Sequence, residues 1–435
     1  MKAHCGVCPG TRIVSVIEHI GRIVIIPRAR QASWTSQTFR ALEYREFRLY
    51  IFGLVVSQIG TYMQQVAEGW LVYRLTNSAF ALGFVGFIIL LPLAPLTLVA
   101  GAIADRFPRR NLLFLVQIGQ VFPPLILAAL TGSHQVQVWH VIVIDLVMSA
   151  LTSIDQPVRQ AFLADTVPVE GLNNAIAISA TGYNVARVIG PMIAGIGVAL
   201  FGEAICFAFN GLSFTAVAVA LVAMHVSERV LSASRTSLKA NLIDNVRYLA
   251  GERVILAAIS MIIIVDLFIV PYQTLLPVMA RDILKAGPLG LGFLVTASGV
   301  GAVVGSLSIA SLPSGRRGLA LVWLGFAASV ATLGFAAMPN LLLACGLLVL
   351  VSGLVVALKV LAYTFAQARV HDDLRGRVMS VVTLSDAGAP RLGGLFAGSF
   401  ASFWGAPFAL QVGALACVLC TIGLNKLIPT LRQTR

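Results

Sequence analysis

The chain has 435 residues, of which 58% are hydrophobic and only 11% charged, with a mean hydropathy of +0.89. A soluble domain carries roughly a quarter charged residues, so this balance excludes a water-facing globular surface and points to a helical membrane protein. The net charge of +13 would suggest nucleic-acid binding in a soluble chain. Here the Lys and Arg residues stand between apolar runs with no basic stripe of interleaved aromatics, so no nucleic-acid partner is expected.

Residues 1–48 are basic and weakly apolar. The stretch 13–26 is interrupted by Glu18, His19 and Arg22 and is too short and charged to span a bilayer. No small-residue cleavage site follows it, so the segment reads as a cytoplasmic tail rather than a signal peptide, and residues 1–38 as an extension of it or an upstream addition. Twelve apolar runs follow, at 49–73, 79–104, 111–131, 136–158, 173–200, 204–226, 254–279, 288–312, 318–338, 341–366, 377–402 and 405–427. Each must be helical, because lipid offers no partner to open backbone groups.

Orientation follows from Lys and Arg. With the N-terminus inside, 25 of the 31 fall on cytoplasmic segments and three (Arg74, Arg281 and Lys285) on the opposite side. Arg187, Lys359 and Arg391 lie within spans. This asymmetry predicts both termini in the cytoplasm. The one long internal loop, 227–253, divides the spans six and six, and its apolar residues at 238, 242, 243, 246 and 249 predict an amphipathic helix on the membrane surface. The expected plan is a basic tail (1–48), a six-helix bundle (49–226), a linker (227–253), a second six-helix bundle (254–427) and a short cytoplasmic C-terminal tail (428–435).

The halves resemble each other. Ala81–Val85 recurs as Gly290–Leu294, Arg109-Arg110 as Arg316-Arg317, and Ala186–Gly195 as Ala389–Gly398. A duplicated six-helix unit about a central linker is the parallel-repeat plan of major facilitator transporters.

Two motifs carry the sharpest signal. Gly101-Ala-Ile-Ala-Asp105-Arg106-Phe-Pro-Arg109-Arg110, at the cytoplasmic end of the second span, resembles the loop signature of that superfamily. An aspartate there suits a helix N-terminus and can pair with Arg159, making a latch that favours the outward-facing state. The second-half copy has Leu312 in its place. Gly190-Pro191-Met-Ile-Ala194-Gly195 in the fifth span resembles the antiporter motif of exporters, with Ala194 replacing a glycine. Proline there removes an intrahelical hydrogen bond, and small residues admit a close neighbour.

From Phe39 to Leu427 the chain resembles the enterobactin-exporter and macrolide-efflux branch, also described as transmembrane secretion effectors. The resemblance is carried by Phe39–Leu42, Phe47–Tyr50, Gly69–Thr76, Arg159–Phe162, Val167-Pro168 and Arg375–Ser380. It implies the major facilitator fold, a bacterial inner (plasma) membrane location, and a monomer exporting drugs, macrolides or siderophores in exchange for protons. A non-transporting receptor or assembly factor on the same scaffold, an importer and a lipid flippase are the alternatives.

Charges inside spans are costly and therefore functional or paired. Gln58, Thr61, Gln65 and Glu68 share a face of the first span, with Gln64 beside them, and are expected to line a cavity. Asp266 lacks a basic neighbour along its own helix, and with Glu68 and Asp386 it is a proton-coupling candidate. Arg187 and Arg391 occupy corresponding spans, as do Asp145 and Lys359, which suggests pairs between helices. Arg187, Lys359 and Arg391 are substrate-cavity candidates. Asp155 with Arg159 reads as a weak interfacial pair. Cys206, Cys345, Cys417 and Cys420 read as small core residues, and Cys5 with Cys8 as incidental. No P-loop, HExxH, GxSxG or His/Cys cluster is present, so neither enzyme chemistry nor a cofactor or metal is expected.

Overall fold

The computed structural model describes residues 39–92, 95–96, 107–225, 253–310, 317–370 and 372–427. The tail before residue 39, most of the 227–253 linker with its expected surface helix, and Gly101, Asp105 and Arg106 lie outside these. Among the described residues, twelve helices answer to the twelve expected spans. In the first half they are α1 (Arg45–Thr76), α2 (Ala79–Ile88), α3 (Arg109–Gly132), α4 (Val138–Leu163), α5 (Leu172–Phe201) and α6 (Ala204–Ala223). In the second half they are α7 (Arg253–Phe268), α8 (Gly287–Ala310), α9 (Arg317–Ala337), α10 (Leu341–Arg369), α11 (Asp372–Trp404) and α12 (Ala406–Leu427).

Nine of these segments are long and apolar enough to cross a membrane on composition alone. The 32-residue α1 and the 33-residue α11 have the length but carry polar residues in their interiors, and α2 is described over only its first turns. The polar content of α1 and α11 is tolerable because both helices face protein rather than lipid over much of their circumference. Large apolar side chains such as Leu342, Phe403 and Trp323 point outward instead. That pattern would be an aggregation hazard in water and is the expected one against acyl chains.

Helix ends follow local chemistry. Asn340 caps α10 by accepting from the Leu342 and Leu343 amides at 2.9 and 3.2 Å. Gly202 and Gly405 close α5 and α11 with φ of 79° and 87°, a conformation costly for any residue with a Cβ. The seventh span departs from the expected single helix over 254–279. It breaks after Phe268, resumes as a short helix Tyr272–Val278, and ends in a π turn over Met279–Ile283. Pro271 accounts for the break: it has no amide to donate and disfavours helical backbone in the residue before it. The Val270 amide reaches back five residues to the Val265 carbonyl at 3.0 Å.

The repeat seen in the sequence is present in the packing. In the first half α1 packs on α5 and α6, and α3 on α6 and α4. In the second half α7 packs on α11 and α12, and α9 on α12 and α10. The halves meet through α5 against α8 and α2 against α11, contacts that the pseudo-twofold exchanges. Both are made without intervening side chains. A Cβ on Gly292 of α8 would lie 2.8 Å from the Gly195 Cα of α5, and one on Gly83 of α2 would lie 2.9 Å from the Leu395 Cα of α11. These crossings lie toward one end of the bundle, the end of the turns at 77–78, 202–203, 284–286 and 405. One hydrophobic core runs continuously through both halves there, whereas a second, separate core around Phe47, Tyr50, Leu113 and Phe162 belongs to the first half alone.

Polar contacts add to this closure. The Tyr73 hydroxyl of α1 hydrogen-bonds the Asp282 carboxylate of the π turn, and the Arg281 guanidinium lies 5.3 Å from the Tyr73 ring centroid. The Phe80 amide of α2 donates to Ser402 Oγ of α11 at 3.1 Å.

Candidate functional site

Below the closed end, between the halves, lies a cavity of about 580 Å³, within the range of small-molecule sites. Helices of both halves wall it, and three of its lining residues are cations: Arg187, Lys359 and Arg391.

The polar face of α1 divides. Gln65 and Glu68 reach the cavity wall, together with Tyr62. Gln58 and Thr61 are not among the lining residues, and Thr61 spends its hydroxyl on the Ser57 carbonyl 3.0 Å away. The expectation that all four line one wall therefore holds only for Gln65 and Glu68. Gln64 turns inward, accepting from Asn210 Nδ2 at 2.6 Å and donating to Glu68 Oε2 at 3.4 Å. Glu68 also lies within hydrogen-bonding range of the Asp145 carboxyl of α4. Asp145 Oδ2 is buried and has no donor among the described residues. Sequence reasoning had Asp145 only as a member of an interhelical set. Its contact with Glu68 depends on the rotation of α4 about its axis, which no spacing along the chain reports.

Asp266 is not isolated. Its carboxylate is fully buried, and the Lys359 ammonium donates to it at 3.0 and 3.3 Å. Lys359 also pairs with Asp386 of α11, and Tyr363 lies within hydrogen-bonding range of that carboxyl. One ammonium thus ties α7, α10 and α11 together. The absence of a basic neighbour along the α7 sequence was misleading because the partner comes from another helix. Asp386 pairs directly with Lys359, while its charge also acts on Arg391 without a direct ion pair. The Arg391 guanidinium makes one hydrogen bond, to the Ala387 carbonyl at 2.5 Å, and Arg187 makes none with a described residue.

Gly190-Pro191-Met-Ile-Ala194-Gly195 places α5 between two neighbours. A Cβ on Gly190 would meet Tyr62 Cβ of α1 at 2.7 Å and the Ile59 carbonyl at 3.0 Å, while Gly195 faces Gly292 of α8 across the interface of the halves. The small residues of this motif let one helix lie close to its own bundle on one side and to the opposite bundle on the other.

The cytoplasmic-loop motif is described from Phe107 onward. Arg109 pairs with Asp165 at 3.1 Å, beyond the end of α4. Arg110 donates to the Leu221 and Val222 carbonyls at 2.8 and 3.2 Å, satisfying the C-terminal end of α6. Arg159 pairs with Asp155 at 2.5 Å, and Gln117 donates to the same carboxylate at 2.7 Å. Both members of that pair are buried, at 6% and 4% exposure. The expected weak interfacial pair is therefore a buried network joining α3 and α4. The pairing of Arg159 with Asp105 lies outside the described residues.

Cys206 and Cys417 are buried, and Cys345 and Cys420 partly so; none forms a disulfide.

Comparison with known proteins agrees with this architecture. The family model described as transmembrane secretion effector matches residues 36–434. The staphyloferrin A transporter of Staphylococcus aureus is 24% identical over 84% of this chain and 91% of its own length. The multidrug efflux pump Tap of Mycobacterium tuberculosis is 26% identical over 88% and 94%. Among solved structures, a bacterial homologue of the iron transporter ferroportin in an inward-facing state superposes with a TM-score of 0.69 at 15% identity, over 89% of this chain and 98% of that one. A bacterial homologue of the lysosomal transporter Spinster, inward-facing and unoccupied, gives 0.69 at 14% identity, over 90% and 98%. With twelve helices in two pseudo-symmetric bundles and a family match over nearly its whole length, this chain belongs to the transmembrane secretion effectors of the major facilitator superfamily, and is a multi-pass membrane transporter rather than an enzyme.

Proposed function

We propose that this protein exports small amphipathic molecules across the bacterial inner membrane by alternating access, in exchange for protons, working as a monomer with both termini in the cytoplasm. The observation that carries the reading is the contact of the Glu68 and Asp145 carboxyls at the wall of a cavity closed at one end. Two carboxyl groups in contact away from water repel unless a proton lies between them. Binding and releasing that proton changes the local charge by one unit where the two halves must rearrange. The Lys359, Asp266 and Asp386 cluster supplies the second-half counterpart, joining three helices of the other bundle through one ammonium.

The excess of Lys and Arg on the N-terminal side supports an orientation in which the closed end faces outward, so the conformation described is inward-facing. The latch of Asp105 with Arg159 would then form in the opposite state. Export as the direction is supported by Gly190-Pro191-Met-Ile-Ala194-Gly195 and by the relative described as a multidrug efflux pump.

The test is uptake into inside-out vesicles, with and without an imposed proton gradient, across a panel of dyes, macrolides and siderophores. Gradient-dependent accumulation of any member is the expected result. Its absence across the panel, in vesicles holding folded protein, favours a non-transporting role on the same scaffold. Accumulation that ignores the gradient removes the antiport.

A further inference from the structure

The cavity has an unusual imbalance between its acidic and basic groups. Each carboxyl that reaches it is already engaged: Glu68 with Gln64 and Asp145, and Asp386 with Lys359. The Lys359 ammonium is likewise spent on Asp266 and Asp386. The two arginines are not. Arg187 of α5 and Arg391 of α11 both line the cavity, and neither makes an ion pair with a described residue; Arg391 feels the charge of Asp386, but that carboxylate is itself paired with Lys359, and among the described residues one of the arginines' ten N–H donors is used, to the Ala387 carbonyl. They stand on helices related by the pseudo-twofold, one in each half. A charge retained inside a membrane protein without a partner is costly, and a guanidinium matches the planar geometry of a carboxylate. Around them the wall is apolar through Val66, Val72, Leu276 and Val295, with Gln273 and Thr274 as further polar contacts.

We propose that the cavity is a site for an amphipathic carboxylate, whose anionic groups are held by Arg187 from one half and Arg391 from the other. The inference rests on the preceding reading only in taking this cavity as the substrate's path. Glu68, the acidic group of the α1 wall, is turned to Asp145 rather than offered to a cation. Binding an anion to one arginine of each half makes the substrate itself a bridge between the bundles, and the bidentate geometry selects carboxylates over cations of equal size.

The test uses the full chain in nanodiscs, with fluorescence anisotropy at pH 8 reading two xanthene dyes of opposite charge, fluorescein and rhodamine 6G. Fluorescein is expected to bind at least tenfold more tightly. Arg187→Gln and Arg391→Gln are each expected to weaken it by at least tenfold, with the Lys variants of both positions keeping a larger share of affinity in equally monodisperse protein. No fluorescein binding, tighter binding of rhodamine 6G, or unchanged affinity in both Gln variants overturns the proposal. The two readings fail separately. Fluorescein binding without gradient-driven flux removes the antiport and keeps the anion site. Flux of cationic dyes without fluorescein binding does the reverse.

Discussion

The Lys359 ammonium stands 3.0 Å from the fully buried carboxylate of Asp266, fixing α10 to α7 beside the cavity. A pair of this kind contributes little net stability when formed, because both charges have been taken from water. Removing one partner is another matter, since it strands the other in a low-dielectric surrounding.

Lys359→Met is therefore expected to destabilise the protein by about 3–5 kcal/mol, read as a lower midpoint in detergent thermal melts followed by size exclusion. Lys359→Met combined with Asp266→Asn is expected to recover most of that loss. A single variant as stable as the parent would mean that the pair is solvated. Transport is expected to stay impaired in the double variant, because the link to Asp386 is gone as well.

Glu68→Gln and Asp145→Asn address the other cluster. An amide donates to the remaining carboxylate and keeps the contact without the exchangeable proton. Each variant is expected to lose gradient-driven and pH-dependent accumulation in vesicles while still exchanging substrate down its own gradient. Full gradient dependence in both would remove this pair from the coupling step.

Much of the architecture was legible in the chain, and the reason is the bilayer. Apolar runs of the required length must be helices, so the twelve spans and the six-plus-six division followed from composition. The repeat also named the corresponding spans, the fifth and eleventh that carry Arg187 and Arg391 and the fourth and tenth that carry Asp145 and Lys359. Partners were not legible. Asp266 looked alone because Lys359 is 93 residues away on another helix, and Asp145 reaches Glu68 only through the rotation of α4. The break at Pro271 was visible as a proline, but the π turn after it was not, since nothing in Met279–Ile283 marks a wider helical turn.

The Asp155 and Arg159 pair offers a sharp contrast of magnitudes. As an interfacial i,i+4 pair it would contribute at most about 1 kcal/mol. Buried as it is, with Gln117 on the same carboxylate, Arg159→Met is expected to cost about 3–5 kcal/mol. Unfolding in mixed detergent titrations distinguishes the two values directly, and a loss below the smaller figure would return the pair to the periphery.

Closure of the bundle depends on backbone meeting backbone, which makes it sensitive to single methyl groups. On Gly292 a Cβ would lie 2.8 Å from both the Gly195 Cα and the Pro191 carbonyl oxygen, neither of which can rotate away. Gly346→Ala, by contrast, puts its methyl into open space and serves as the control. Gly292→Ala is expected to disfavour the closed end and populate the opposite state. Spin labels on Phe201 and Leu289, both exposed on the α5 and α8 ends that meet there, read this as a second, longer distance. Tyr73→Phe removes the hydroxyl that holds Asp282 and, at about 1 kcal/mol for such a bond, is expected to change the ratio of the two distances by about five-fold in the same direction. If Gly292→Ala leaves the distance distribution of the parent unchanged, the helices part and close along some other line than the α5 and α8 contact.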